Sequence, residues 1–366
     1  MECSIIIPYY QRKQAILNTL KSLNNQIKMD NNFEVILIND GSDDFNYNDI
    51  KLLNLSIPIE YYKYPRSGNS GRSFARNRGI EKANGDLLIF LDCDIIVKPD
   101  FVFQHKCFWE KCPEKNILQI GMRNMLNTRD EDIDISNIKN YKFTKDPRFI
   151  LFELYSENIS LLEGVWRLVQ THNISITRDL VEKYGGFDEG FKGWGLEDCE
   201  FAYKLYKEGI KILYNPNIEC FHQVHNVQLT EEEKFLMFER NLNYFIIKYD
   251  EIPVILLKIF CDFFNPVLFK KKLDYYKYKD YKIAKKNIWL SCFTRFENSI
   301  RAFNGIIEEK NKKEITLISP KLHILRNKLK NNKTIKYRVI CKKEDIELIT
   351  WIQVNKLAKS TELFII

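Results

Sequence analysis

A chain of 366 residues exceeds one typical domain, and 45% hydrophobic with 13% aromatic residues supplies a sizeable core, which excludes disorder along the whole length. The formal charge is +7, yet residues 270–345 alone hold 22 Lys and Arg against 8 Asp and Glu, so the remainder is net negative. Nine cysteines without a CxxC pair argue against a zinc knuckle or a disulfide framework and fit a reducing cytosol.

The start, Met1-Glu2-Cys3-Ser4, runs straight into an apolar segment with no basic region or cleavage site, so no signal peptide is read. Cys3 to Pro8 is a short apolar run ended by proline, predicted as a buried strand. Ile16, Leu20 and Leu23 recur at helical spacing and predict a first helix. Phe33–Ile38 predicts a second strand, closed by the turn Asn39-Asp40-Gly41-Ser42, and Ile59–Tyr64 a third. Ser73 is the expected cap of a helix running to about Ala83, with Gly85 just beyond. Leu87–Leu91, five apolar residues in a row, predicts a central strand. This alternation implies an α/β fold, a mostly parallel sheet with helices on both faces, whose ligands bind beyond the carboxyl ends of the strands. Three polar clusters fall at such ends, after Ile7, after Ile38 and after Leu91.

From about 128 to 165 the pattern is weak and polar, as in a loop-rich excursion, and Gly164–His225 forms a second ordered block. Residues 230–310 read as largely helical. Within them Val254–Phe269, interrupted by Lys258, Asp262 and Pro266, is too short and too charged to span a bilayer and reads as a buried or half-buried helix. From Ile315 a small βαβαβ unit is expected, with strands Ile315–Ile318, Tyr337–Cys341 and Leu363–Ile366 and helices Leu322–Leu329 and Asp345–Leu357. It stops on a strand and so reads as part of a longer protein. The expected division is residues 1–265 as the main domain, 266–312 as a helical basic extension and 313–366 as the small α/β unit.

Four constellations carry chemistry. Asp92-Cys93-Asp94 places two carboxylates directly after a buried strand, where they can converge on a hard divalent cation such as Mn²⁺ or Mg²⁺; alone the signal is weak, since such pairs also cap helices and make turns. In Gly193-Trp194-Gly195-Leu196-Glu197-Asp198, glycines flank an aromatic and two carboxylates open a helix. The helix dipole favours acids there in any case, but a carboxylate at a site's mouth can also take a proton from an acceptor. Cys220-Phe221-His222-Gln223-Val224-His225 offers imidazole ligands on an extended segment. Gly68-Asn69-Ser70-Gly71 leads into a helix with Arg72, Arg76 and Arg78, a natural diphosphate site that matches neither the P-loop nor the dinucleotide spacing.

In this order the pieces resemble a family 2 glycosyltransferase of the GT-A fold. The matching segments are Ser4-Ile5-Ile6-Ile7-Pro8-Tyr9-Tyr10, Ile38-Asn39-Asp40-Gly41-Ser42, Ala75-Arg76-Asn77-Arg78-Gly79 and Phe90-Leu91-Asp92-Cys93-Asp94. Gly185-Gly186-Phe187-Asp188 with Trp194-Gly195-Leu196-Glu197-Asp198 is similar to the galactosyltransferase-type motif of chondroitin-polymerase-like enzymes and polypeptide GalNAc-transferases. The resemblance covers about residues 3–226. It implies that Pro8, Tyr10, Asp40 and Ser42 hold the nucleoside of a UDP-sugar, that Arg76 faces the nucleotide or its diphosphate, and that Asp92 lies near ribose and donor sugar. It implies Asp94 and His222 as metal ligands, and Trp194, Glu197 and Asp198 on the acceptor side, with Asp198 as general base and Glu197 beside it. The family pattern has an acid where this chain has Asn39.

The same resemblance implies a single, inverting displacement onto a glycan, lipid-linked or peptide acceptor. The cysteine usage and the lack of a readable signal peptide point to a cytoplasmic enzyme, and the charge of the basic 270–345 segment would let it touch an anionic membrane. That segment is equally a solvated lysine surface, and with no helix-turn-helix or RNA-binding signature nucleic acid is not expected. The alternative is a non-catalytic nucleotide-sugar-binding partner in a glycan-synthesis complex. A nucleotidyltransferase is disfavoured because Gln11-Arg12-Lys13 comes after the first strand without a glycine-rich loop.

Overall fold

The computed structural model describes residues 2–27, 32–127, 133–155, 158–225, 229–276 and 281–309, with strands at 314–318, 336–341 and 361–365. Contacts divide the chain into two compact units, Met1–Ile247 with Phe264–Pro266, and Lys248–Phe263 with Val267–Ile366.

The first unit contains strands β1 (Cys3–Tyr9), β2 (Phe33–Asp40), β3 (Ile59–Tyr64), β4 (Leu87–Leu91), β5 (Ile95–Val97), β6 (Ile117–Ile120), β7 (Arg123–Leu126), β8 (Phe143–Lys145), β9 (Asn173–Thr177), β10 (Lys211–Tyr214) and β11 (Cys220–His222). Seven form one sheet in the order β10-β6-β9-β4-β1-β2-β3. All its pairings are parallel except those of β9, which runs antiparallel to β4 and β6. The register Cys3↔Phe33 and Cys3↔Leu87 starts β1, β2 and β4 together, so their carboxyl ends finish on one edge. A second sheet, β5-β11-β7-β8, stands beyond that edge.

The two-residue period of the strands decides which helix covers which face. Ile5, Ile7, Val35, Leu37 and Ile89 point into a core shared with Ile16, Leu20 and Leu23 of α1 (Lys13–Asn24). Ile6 points the other way, against a third helix. After α2 (Tyr47–Leu52), helix α3 (Arg72–Lys82) comes so near that a Cβ on Gly79 would lie 2.2 Å from Ile6 Cγ2, so only glycine fits there. The cap of α3 is Gly71, not the expected Ser73: the helix begins at Arg72, and Ser73 is already buried in its first turn. Four further helices follow in this unit, α4 (Phe101–Lys111), α5 (Phe149–Leu154), α6 (Arg178–Tyr184) and α7 (Glu197–Lys207), and α8 (Glu231–Tyr249) ends beyond its boundary. Much of the weakly patterned region before residue 165 is short strands, 3₁₀ turns and α5, elements too brief to show a period.

The apolar stretch from Val254 is not one helix. It forms Ile252–Ile255, a 3₁₀ turn Leu256–Phe260 and Cys261–Phe264, and a new helix opens at Pro266 and runs to Tyr276. Pro266 lacks the N–H that would continue the ladder, but it suits a first helical position. In the second unit the helix Tyr281–Glu309 buries Ala284, Ile288, Cys292, Phe296 and Ile300, every fourth residue. The strands Glu314–Ile318, Lys336–Cys341 and Thr361–Ile365 pair in parallel in that order; the helices expected at Leu322–Leu329 and Asp345–Leu357 lie outside the described residues.

Candidate active site

The turn after β2 is built on Asn39. Its buried Nδ2 lies 2.9 Å from Ser42 O, 3.2 Å from Phe45 O and 2.8 Å from Tyr61 Oη, while its Oδ1 accepts from Ser42 N at 2.7 Å. Gly41 then takes φ +81°, and a Cβ there would stand 2.6 Å from Arg66 N. Ser42 Oγ accepts from Gln11 N at 2.9 Å, which ties this turn to the end of β1 beside Pro8 and Tyr10. Asp40 is buried and pairs with Arg66, whose guanidinium lies 4.2 Å over the Tyr10 ring. Burial raises the Asp40 pKa, against the opposing pull of Ser70, Arg66 and Gly71.

Antiparallel pairing of β5 with β11 sets Ile95 opposite His222, and the chain continues this ladder with Gln223 N donating to Asp94 O at 2.9 Å. Asp94 Oδ2 thereby comes within 3.5 Å of His222 Nε2 and 3.2 Å of His225 Nε2. One donor atom from each of the three lies within 4.8 Å of the others. Buried contacts from α1 hold the strand end in place: Asn18 Nδ2 donates to Gln223 Oε1 (2.9 Å) and Thr19 Oγ1 to Cys93 O (2.9 Å). Burial alone would raise the Asp94 pKa, but His222, His225 and Arg12 hold it well below the carboxylate range. Burial lowers the His222 pKa, which favours the neutral imidazole that ligates metals. Asp94 Oδ1 and His222 Nδ1 are buried without a hydrogen-bond partner. The family pattern singles out His222 and not His225, whose only signal in the sequence is the HxxH spacing.

Three of the four residues in the passage 193–196 are left-handed, with φ of +69° at Gly193, +99° at Gly195 and +74° at Leu196. A buried leucine in that region marks backbone held by its surroundings. Asn241 of α8 supplies part of the hold: its Nδ2 lies 3.1, 3.3 and 2.8 Å from the carbonyls of Lys192, Trp194 and Gly195. The passage leaves Glu197 and Asp198 at the first turn of α7. Trp194 packs edge-on to Phe264. Burial, then the charge of Glu197, pushes Asp198 up to about 6, with Arg167 and Arg76 opposing.

Arg76 joins the halves. It is 2% exposed, with Nη2 3.1 Å from Asp92 Oδ1 and Nη1 3.3 Å from Glu197 Oε1. Its neighbour Asn77 bonds both ways with Phe187 backbone, at 2.8 Å each. The Ala75–Gly79 segment thus fastens the turn after β4 to the Gly185–Asp198 block. Arg76 faces carboxylates in this structure, and Glu197 is committed to it, with Arg72 Nε 4.0 Å away.

Residues 4–167 match the model for glycosyl transferase family 2, and residues 167–228 that for the N-terminal domain of galactosyltransferase. Residues 4–167 thus carry a family 2 glycosyltransferase domain. It is 28% identical over 259 residues to the uncharacterized glycosyltransferase YfnE of Bacillus subtilis (strain 168), covering 62% of this chain and 65% of that protein. It is 28% identical over 232 residues to the chondroitin synthase of Pasteurella multocida (strain Pm70), covering 56% of this chain and 23% of that protein. The chain therefore spans less than two thirds of either relative. The solved structure of S. aureus TarS 1-349 in complex with UDP-GlcNAc is similar at a TM-score of 0.49 and 16% identity, covering 67% of each chain.

Proposed function

We propose that the chain is an inverting, divalent-metal-dependent transferase that moves a hexose or N-acetylhexosamine from a UDP-sugar to a glycan, lipid-linked or peptide acceptor. The observation that supports this reading is the shared guanidinium of Arg76, which brings the Asp92–Asp94 turn and the Glu197–Asp198 helix start within one side chain's reach of each other, as two walls of one site would need. A donor held by the first wall is then presented to an acceptor at the second.

The residues present fit a divalent cation. Asp94 Oδ1 is buried without a hydrogen-bond donor, a situation that costs about 1–3 kcal/mol unless a cation meets it. The Asp94, His222 and His225 donors would hold the ion. This mixed nitrogen and oxygen set suits Mn²⁺ better than Mg²⁺, which prefers oxygen throughout. When bound, such an ion neutralises charge on the departing diphosphate. Tyr10, with Pro8, Asp40 and Ser42, would bind the nucleoside, the Tyr10 ring offering a stacking face. Asp198 would take the acceptor proton while the nucleophile attacks the anomeric carbon from the face opposite the diphosphate. Its raised pKa suits a general base near neutrality. Glu197, bound to Arg76, would position Asp198 without touching the substrate.

Among the described residues no helix is long and apolar enough to cross a membrane. In this reading the basic 270–345 segment supplies a peripheral membrane contact. The test is UDP release from a panel of UDP-sugars with Mn²⁺, by the natural chain and by Asp94→Ala, with the product anomer read by NMR. Loss of release in the variant and an inverted anomer are expected. Equal turnover by both would remove the metal role, and a retained anomer would remove the single displacement.

A further inference from the structure

The metal cluster already contains a cation. Arg12 stands at the start of α1, and its Nη1 bonds Asp94 Oδ2 and lies 2.6 Å from His225 Nε2. The guanidinium therefore occupies the oxygen, and the side of it, that face the imidazoles. A guanidinium stays charged at any physiological pH. A divalent ion taking the same three donors would meet it within a few ångströms, cation against cation, with the guanidinium also lying against the His225 Nε2 that the ion would use.

The main chain here is clamped. Arg12 N donates to Tyr9 Oη at 3.2 Å, and Gln11 N to Ser42 Oγ at 2.9 Å. Gln11 sits at φ +50°, a region non-glycine residues rarely adopt. What remains free to move is the side chain. That of Arg12 is 31% exposed, against 5% for Asp94, so the arginine has solvent to swing into while the carboxylate stays in place.

We propose that Arg12 is a built-in counter-ion of the Asp94–His222–His225 cluster, one that neutralises Asp94 in the metal-free protein and has to leave before a divalent cation enters. The proposal rests on the metal site proposed for those three residues. It implies coupling: an anion that draws Arg12 away, as the diphosphate of UDP would, raises metal affinity, and by linkage the metal raises affinity for UDP. Arg12 is thus a positioning residue that sets the order in which the site fills.

The test is Mn²⁺ binding followed by the electron paramagnetic resonance of the free ion, with no sugar donor present. It uses the full chain, Arg12→Gln, Arg12→Lys and Asp94→Asn, each with and without UDP. Because the competent state is scarce while Arg12 occupies it, Arg12→Gln is expected to bind Mn²⁺ at least about tenfold more tightly than the natural chain without nucleotide. UDP is expected to raise Mn²⁺ affinity more in the natural chain than in Arg12→Gln. Arg12→Lys, which keeps the charge, should lie nearer the natural chain. Thermal melting supplies a second readout: Arg12→Gln should melt lower without metal and regain the natural value at saturating Mn²⁺. Equal or weaker Mn²⁺ binding by Arg12→Gln overturns the proposal while leaving the metal site standing. No binding by any chain, with Asp94→Asn indistinguishable from the rest, overturns the metal-site reading and the counter-ion role together.

Discussion

Arg76 Nη1 lies 3.3 Å from Glu197 Oε1 although 121 positions separate the two residues, and both side chains are under one-tenth exposed. Removing one member of such a pair leaves an uncompensated buried charge, which costs about 3–5 kcal/mol. Arg76→Met is expected to lose about that much in urea unfolding and to lose transfer activity, since Asp92 and Glu197, the neighbour of Asp198, are no longer tied together. Replacing both partners, Arg76→Met with Glu197→Leu, should be less destabilising than the sum of the single changes, because the orphaned charge is gone. Additive losses in that cycle would show that the pair is not coupled.

Asp198 links stability to activity with opposite signs. Burial and Glu197 raise its pKa from 3.8 to about 6 in the folded chain. The folded state therefore binds more protons than the unfolded state between those values, and stability falls as pH rises from about 4 to about 6. Above pH 6 the full penalty remains, at most about 3 kcal/mol and reduced by the partial exposure of the group. Asp198→Asn is expected to melt higher than the natural chain at pH 7.5, to show no such gain at pH 4, and to be inactive at both. For the natural chain, kcat/KM should fall as pH drops through about 6, where the base takes up a proton. A pH-independent rate between 5 and 8 would exclude Asp198 as the base.

The turn at the end of β2 explains a departure from the family pattern. The Asn39 amide stands against the carbonyls of Ser42 and Phe45 and the hydroxyl of Tyr61. Asn39→Asp would replace this buried donor with an acceptor facing other acceptors. The expected cost is about 1–3 kcal/mol, and more if the acid stays ionised. The turn also carries Asp40 and Ser42, so a raised Kd for UDP by calorimetry should accompany the lower melting temperature. A variant as stable as the natural chain would mean that Tyr61 and the loop rearrange around the acid.

Legibility in the sequence divides along a physical line, between local patterns and distant pairings. The strands at 59–64 and 87–91 and the helical spacing of Ile16, Leu20 and Leu23 are local patterns, and the structure reproduces them at those residues. The parallel sheet follows from their alternation. The turns at 40–42 and 92–94 stand out because each closes an apolar run. The nearness of Asp94 to His222 comes from the family resemblance, because β5–β11 pairing over such a separation leaves no periodic trace. His225 is noted beside His222 but not assigned as a ligand, since one imidazole satisfies the expected pattern. Arg12 and Arg66 are invisible as partners of Asp94 and Asp40, because a long basic side chain reaches across elements without any spacing rule. The cap of α3 is misplaced by sequence because a serine in a first turn looks like a cap until the preceding glycine is seen to serve.

Asn241 is the residue least legible in advance, a single amide on α8 that buries Phe238, Leu242 and Phe245 beside it. Its Nδ2 reaches three carbonyls along the left-handed passage that delivers Asp198. Asn241→Leu keeps the branched shape and removes the donor, leaving those carbonyls to water or without a partner. Each lost bond is worth about 1 kcal/mol, so stability should fall by about 1–3 kcal/mol. If the passage positions the base, kcat should fall about tenfold or more while KM for the UDP-sugar stays near its natural value, because residues 40–42 and 92–94, proposed to hold the donor, are untouched. Asn241→Gln, which keeps an amide one methylene further out, is expected to recover part of the rate. A variant that raises KM and leaves kcat alone would place Asn241 on the donor side and separate the passage from the base.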